Sequence, residues 1–365
     1  MAQTYSGEVT LRTEAAPQLE SEGISILPDP PEAKADETKL RYRWALVFAP
    51  WAWFIVRGLH SWLEVIAILL PVLTVVGAGL ALLLAAYRRS AVLAALSASL
   101  LLLFAVTTFL PGRPVNGPQP VETSQFASTN LASQWFSDNE IGFFVYDQEP
   151  DVLVGIELRE PHDIELRSRF TNGVSDIIDT PNLSGPDFAG TYRENSLPSI
   201  GIYTDLPMEV LEDPIADTIP GGLPGFRVRV STETSDVIVY ALHVPRPGPG
   251  SGLYEVTPPE LHAMVDALAD AVEAEELPVV VMGDLNLVDR GPGFQRLTEN
   301  LSDAMRADRW ADSTRTRDLW HTILKLRIDH VLVSPELCVA DAIQDRVLFS
   351  DHDTIQANVG LCSAN

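Results

Sequence analysis

The chain is poor in cysteine and in positive charge. Cys338 and Cys362 are its two cysteines in 365 residues, and 25 Lys and Arg stand against 50 Asp and Glu, for a formal net charge of −25. It also lacks HExxH, CxxC, GxGxxG and GxxxxGK[ST], which removes zincin, rubredoxin-like, Rossmann and P-loop chemistry. The first forty residues contain no long apolar run, which predicts that no cleavable signal peptide begins the chain. The shortage of positive charge is local. Residues 1–113 carry nine Lys/Arg and nine Asp/Glu, so the whole −25 falls on the remaining 252 residues. Such a polyanion is a poor non-specific partner for nucleic acid, whose binding rests on Lys and Arg neutralising phosphates. Aliphatic and aromatic residues run throughout that acidic part, so it is not compositionally disordered.

The mean hydropathy of +0.09 averages two unlike halves. Residues 1–43 are rich in Glu, Pro and Ala (LPDPPEAKADE at 27–37) and are expected to be a disordered cytoplasmic tail. A membrane region follows over 44–110. Val65–Ala86 and Ala91–Leu110 are uncharged runs of 22 and 20 residues, each about 30 Å long as a helix and so long enough to cross a bilayer. Pro71 and the Gly77–Gly79 pair are tolerated in such helices. Between the runs, Tyr87-Arg88-Arg89-Ser90 forms a tight basic turn, cytoplasmic by the positive-inside rule. Everything after Leu110 then lies outside the cytoplasm. A third segment, 44–59, is rich in Trp and follows Lys39, Arg41 and Arg43; a short span is favoured over an interfacial helix.

Residues 111–120 are a Pro/Gly linker. The rest is long enough for one substantial core. Short β-branched runs at Val152–Ile156, Phe226–Val230, Val237–Leu242, Pro278–Met282 and Ile328–Val333 predict strands. Leu261, Met264, Val265, Leu268 and Val272 share one face of a scaffold helix. The pattern is mixed α/β. The two cysteines lie late in this half, where an oxidising compartment would permit a bridge; two buried thiols are the alternative.

Several strand ends gather acids, amides and imidazoles. Glu157 follows 152–156, His243 follows 237–242, Gly283-Asp284-Leu285-Asn286 follows 278–282, Asp329 opens 329–333, and Ser350-Asp351-His352 precedes a strand over 354–359. Each alone reads as a cap or turn former. Together they are the inventory for hydrolysing a phosphate ester: oxygen donors suit a hard divalent ion, and imidazoles move protons near neutral pH.

The ordered blocks FASTNLAS with Asn130, DVLVGIEL with Glu157, YALHVP with His243, GDLN at 283–286, IDHVLVS at 328–334 and SDH at 350–352 resemble the endonuclease/exonuclease/phosphatase superfamily over residues 121–361. The resemblance implies a four-layer α/β sandwich, two packed, mainly antiparallel sheets flanked by helices, here preceded by two or three transmembrane helices. It also implies Mg²⁺ or Mn²⁺ held by Glu157, Asn130 and Asp351. Asp284 would orient or deprotonate water, Asn286 would hold a phosphate oxygen, Asp329 would fix His352, and His243 would contact phosphate or the leaving group. Whether Asp284 or His352 is the base stays open.

The pattern also departs from the family. Ile156 replaces the usual Gln before the metal Glu, removing a hydrogen bond. Asp205 stands where Arg is common, and Asp353 follows the SDH unit, so both are expected to add negative charge near the site. Arg246 and Arg327 are the candidate phosphate clamps. This disfavours DNA and favours a terminal phosphate or pyrophosphate. Membrane segments followed by such a domain resemble bacterial teicoplanin-resistance-associated membrane phosphatases, which implies a lipid-linked pyrophosphate such as undecaprenyl pyrophosphate. The alternatives are a membrane-anchored extracytoplasmic nuclease or phosphodiesterase, and a catalytically silent membrane-bound binding domain.

Overall fold

The computed structural model describes residues 42–109, 119–120, 122–131, 148–176, 199–250, 254–307, 326–345, 350 and 352–363. The expected tail over 1–43, apart from its last two residues, and the linker, apart from Gln119 and Pro120, lie outside them.

Two six-stranded sheets organise the acidic half. One runs β13 (Leu337–Asp345), β14 (Thr354–Leu361), β1 (Ser124–Asn130), β2 (Val152–Ile156), β4 (Ile200–Thr204), β3 (Asn172–Asp176). The other runs β11 (Ser302–Asp303), β12 (Asp329–Val333), β10 (Val279–Asp284), β7 (Asp236–His243), β6 (Gly225–Ser231), β5 (Met208–Val210). Each sheet has one parallel pair at its centre, β1 with β2 and β7 with β10, and its other pairings are antiparallel; β8 (Arg246–Pro247) and β9 (Glu255–Val256) pair apart from both.

The period-2 alternation of strand side chains builds the layers. Val152, Val154 and Ile156 meet Val237, Val239, Ala241, Val280 and Met282 in a core between the sheets. The intervening residues Ile238, Tyr240, Val279 and Val281 face outward onto Leu261, Met264, Val265, Leu268 and Val272. Those five belong to the helix Pro258–Glu273, which starts at a Thr257/Glu260 capping box. On the far side, Leu153, Ala127 and Tyr203 pack on Leu166 of the helix Glu160–Arg169. The result is the four-layer sandwich, helix–sheet–sheet–helix. Cys338 and Cys362 are disulfide-bonded, tying β13 to the end of β14.

Preceding the sandwich, Leu63–Arg88 (α1) and Ala91–Phe109 (α2) form an antiparallel hairpin, and both are long and apolar enough to cross a bilayer. Arg89, with φ 50°, ends α1 in the left-handed conformation. Small residues let the helices approach: Ser97 Oγ donates to the Ala78 carbonyl at 2.9 Å. The third expected segment is not a continuous helix of spanning length. Helical residues 42–48 pass into a 3₁₀ turn, Ala49–Ala52, and a short helix, Trp53–Val56. Pro50 lacks the N–H that would continue the helix. This segment packs on α2 through Ser99, which accepts from Trp51 Nε1 at 2.9 Å and donates to the Val47 carbonyl at 2.6 Å.

Candidate active site

Parallel pairing brings strand ends to one edge. Because β7 and β10 run the same way, His243 and Asp284 are register partners, and antiparallel β12 places its first residue, Asp329, opposite Asp284. In the other sheet β1 and β2 end together at Asn130 and Ile156, with Glu157 next. Parity then decides direction. Asp284 continues the inward series Val280–Met282, His243 continues Val239–Ala241, and Asp329 leads into Val331–Val333. The three polar residues therefore point inward at the open end of the sandwich.

Asp284 Oδ2 is the hub. Asn130 Nδ2 donates to it at 3.0 Å, His243 Nε2 lies 3.8 Å away and His352 Nε2 4.0 Å away. His352 Nδ1 meets Asp329 Oδ2 at 2.8 Å, so the expected carboxylate–imidazole pair is formed. Asp284, Asp329 and His352 offer ligand atoms within 4.8 Å of one another, all buried. Asn286 adopts φ 49°, its backbone N–H donates to Asp284 Oδ1 at 3.0 Å, and its Nδ2 donates to the Val244 carbonyl at 2.8 Å. Glu157 also takes a left-handed conformation, φ 54°, where β2 ends. Ser350 joins two site segments, donating Oγ to the Asn130 carbonyl and accepting the His352 N–H. Asp351 lies outside the described residues.

The electrostatics call for a cation. Burial pushes the Asp284 carboxyl well above the usual range, and the charges of Asp329 and Glu157 push it further, against the opposing pull of His352 and the Asn286 N–H. Two buried carboxylates facing each other are the condition a divalent ion relieves. The oxygen-rich donor set, with one imidazole, fits a hard metal. His243 is driven down to about 3 by burial and by the neighbouring His352 and Arg246, so it is neutral at physiological pH. Its Nδ1 is buried without a hydrogen-bond partner among the described residues.

Two expectations fail here. Arg327 does not reach the site: it precedes β12, and its buried guanidinium is paired with Asp303 and lies 3.2 Å from His330 Nδ1, on the outer face of the sheet. Asp205 is at the opposite end of the sandwich. Because β4 runs antiparallel to β2, Thr204 pairs with Val152 and not with Ile156; Asp205 instead accepts from Thr171 N and Oγ1 at 2.7 and 2.8 Å. Asp353 is buried beside His352 and accepts from Gln344. Arg246 is exposed just past β7. Sequence reasoning missed Tyr254. Its hydroxyl donates to the His243 carbonyl, its ring lies 4.5 Å from the His243 ring, and burial with the Asp284 and Glu157 charges raises its pKa. A lone tyrosine after a Pro/Gly-rich stretch carries no signal of that contact.

The model of the Endonuclease/Exonuclease/phosphatase family matches residues 161–352, just over half of the chain, and takes in His243, Asp284, Asn286, Asp329 and His352. The chain belongs to the endonuclease/exonuclease/phosphatase family. As a member of it, the protein is a metal-dependent hydrolase of phosphate esters. An endonuclease/exonuclease/phosphatase structure from Beutenbergia cavernae is 18% identical, covering 67% of this chain and 72% of that one with a TM-score of 0.50, and shares the fold. A Neisseria 3′ phosphatase, NExo, bound to product DNA hairpin (18% identity, 64% and 98% covered, TM-score 0.45) and an AP endonuclease from Archaeoglobus fulgidus (14%, 66% and 100%, 0.48) are also similar. The family's own description names nucleases beside phosphatases, so membership does not set nucleic acid aside as a substrate. No curated protein matches the chain.

Proposed function

We propose that this family member is a membrane-anchored phosphatase of a lipid-linked pyrophosphate, of the undecaprenyl pyrophosphate kind, with its catalytic domain outside the cytoplasm. In this reading the chain divides into a tail over 1–43, a membrane region over 44–110, a linker over 111–120 and the hydrolase domain over 121–361. The observation that carries the reading is where the sandwich sits on the hairpin. The loop after β10 contacts the first turns of α1, with Val288 packed on Ala67 and Leu70. Arg88 and Arg89 are at the other end of this 26-residue helix, about 30 Å away. If that basic turn is cytoplasmic, the domain is extracytoplasmic, where the Cys338–Cys362 bridge is at home. Outward leucines such as Leu73, Leu80 and Leu83 are exposed along α1, as lipid contact requires. Tethering confines the site to the bilayer surface, which raises the effective concentration of a lipid substrate. The architecture resembles the teicoplanin-resistance-associated membrane phosphatases.

In this reading Glu157 and Asn130, with Asp351, hold Mg²⁺ or Mn²⁺. The bound ion would offset charge developing on phosphoryl oxygens. Asp284 aims the attacking water, whose proton goes either to Asp284 or to the Asp329-held His352. Neutral His243 contacts a phosphate oxygen or the leaving group, and Asn286 keeps one amide hydrogen for phosphate beyond its bond to Val244. Arg246 remains as the phosphate clamp.

The test is a substrate panel on full-length protein in detergent with Mg²⁺ or Mn²⁺. Phosphate release from undecaprenyl pyrophosphate is expected, with no plasmid nicking even at low salt, where electrostatic binding is strongest. Nicking without release from the lipid would replace this reading with the nuclease alternative.

A further inference from the structure

Leu287–Gly293 follow the Asp284–Asn286 turn directly and take no part in the chemistry above, yet they carry buried contacts between the sandwich and the hairpin. Arg290 is buried, and its Nε donates to the Ala67 carbonyl of α1 at 2.6 Å. Glu64, in the first turn of α1, is fully buried. Its Oε2 accepts the Gly293 N–H at 2.9 Å and meets His262 Nε2 at 3.3 Å. Gly291 is glycine for a reason: a β-carbon there would collide with Glu64 Oε1. Val288, fully buried, completes the seat against Trp53, Ala67 and Leu70. Arg57 adds a bond to Gln295 Oε1 at 3.0 Å.

The run from this seat to the site is short and stiff. The Leu287 carbonyl is bonded to His330 Nε2 at 2.8 Å, and Leu285 N–H to the Ile328 carbonyl at 2.9 Å. Asn286 lies between them in a left-handed conformation, with its N–H on Asp284. Two buried charges at such a junction are costly unless their geometry is exact in detail, and apolar residues would pack it more cheaply. What charges add is a single defined seat.

We propose that α1 is part of the active-site scaffold: Glu64 and Arg290 are positioning residues that hold the Asp284–Asn286 turn, so that the domain reaches its full rate only when seated on the hairpin. The proposal rests on the assignment of Asp284 and Asn286 to the site, and not on the identity of the substrate.

The test uses full-length protein in detergent and soluble p-nitrophenyl phosphate with Mn²⁺, so that access from a bilayer plays no part. Glu64→Gln, Arg290→Gln and Gly291→Ala disturb the seat from either side, and Ala67→Leu disturbs it from the helix alone. In the folded fraction these variants are expected to lower kcat about ten- to a hundredfold, as a small misplacement of catalytic groups does, with KM little changed. Amide exchange should rise over 284–293. Arg290→Lys, which keeps a cationic donor for the Ala67 carbonyl, should recover most of the rate. Variants that melt at lower temperature while their folded fraction turns over at the wild-type rate would overturn the proposal. Wild-type turnover by Asp284→Ala would instead overturn the site assignment.

Discussion

One carboxylate oxygen, Asp284 Oδ2, collects Asn130, His243 and His352 within 4.0 Å, and the reasons it can do so are partly legible residue by residue. Asp284, His243 and Asp329 each extend an alternating apolar run, so parity alone turns them toward the inter-sheet space. Parity holds only inside a strand. Arg327 lies two residues before Asp329 but precedes β12, and it turns instead to Asp303. Tyr254 reaches His243 through a contact between loops, which no spacing encodes. Away from the site, Asp163 is a test of the electrostatics. Despite partial burial, hydrogen bonds from Tyr203, Ser175 and Arg167 hold its carboxyl below the ordinary value. The folded state therefore binds that proton more weakly than the unfolded chain. The resulting stability is present above the unfolded carboxylate pKa of about 3.9 and is lost as pH falls through the lower folded value. Acid unfolding followed by circular dichroism should accordingly be less steep below pH 4 for Asp163→Asn than for the wild type, and equal slopes would contradict this.

At the scale of elements, the site exists because each sheet has a parallel pair at its centre, β1–β2 and β7–β10, whose carboxyl ends meet at one edge. The strands themselves were legible from their β-branched runs, and the scaffold helix from its 3.6-residue period. Strand order was not, because it depends on partners far away in sequence; this is why Asp205 was expected near the site although antiparallel β4 carries it to the far end. The segment 44–59, expected as a short span, has its helix interrupted for a local reason, since Pro50 sits in the 3₁₀ turn Ala49–Ala52. Close approach within the β7–β10 pair depends on Gly283. It has φ 134°, and a β-carbon there would run into the Leu242 carbonyl. Gly283→Ala is expected to lower stability by about 2 kcal/mol or more and to cut turnover as well, because Asp284 is the next residue. Equilibrium denaturation alongside an activity assay measures both.

For the whole molecule, the charge acquires a place. The −25 belongs to the sandwich half, and part of it is buried in the site as carboxylates, so a cation is needed before phosphate can approach. The hairpin sets where this happens. Arg88 and Arg89 lie at the end of α1 remote from the sandwich, so a β-lactamase reporter joined after Ser363 is expected to protect cells from ampicillin. A reporter joined after Arg89 should not. The reverse result would place the domain in the cytoplasm and remove the argument for an extracytoplasmic lipid substrate. The most direct measurement of the central claim is phosphate release from undecaprenyl pyrophosphate by full-length protein in detergent with Mg²⁺, compared between the wild type and Asp284→Ala. The account predicts release by the wild type, a loss of about 10²-fold or more in the variant, and no release by either protein in excess EDTA. Equal release by the two proteins would contradict it.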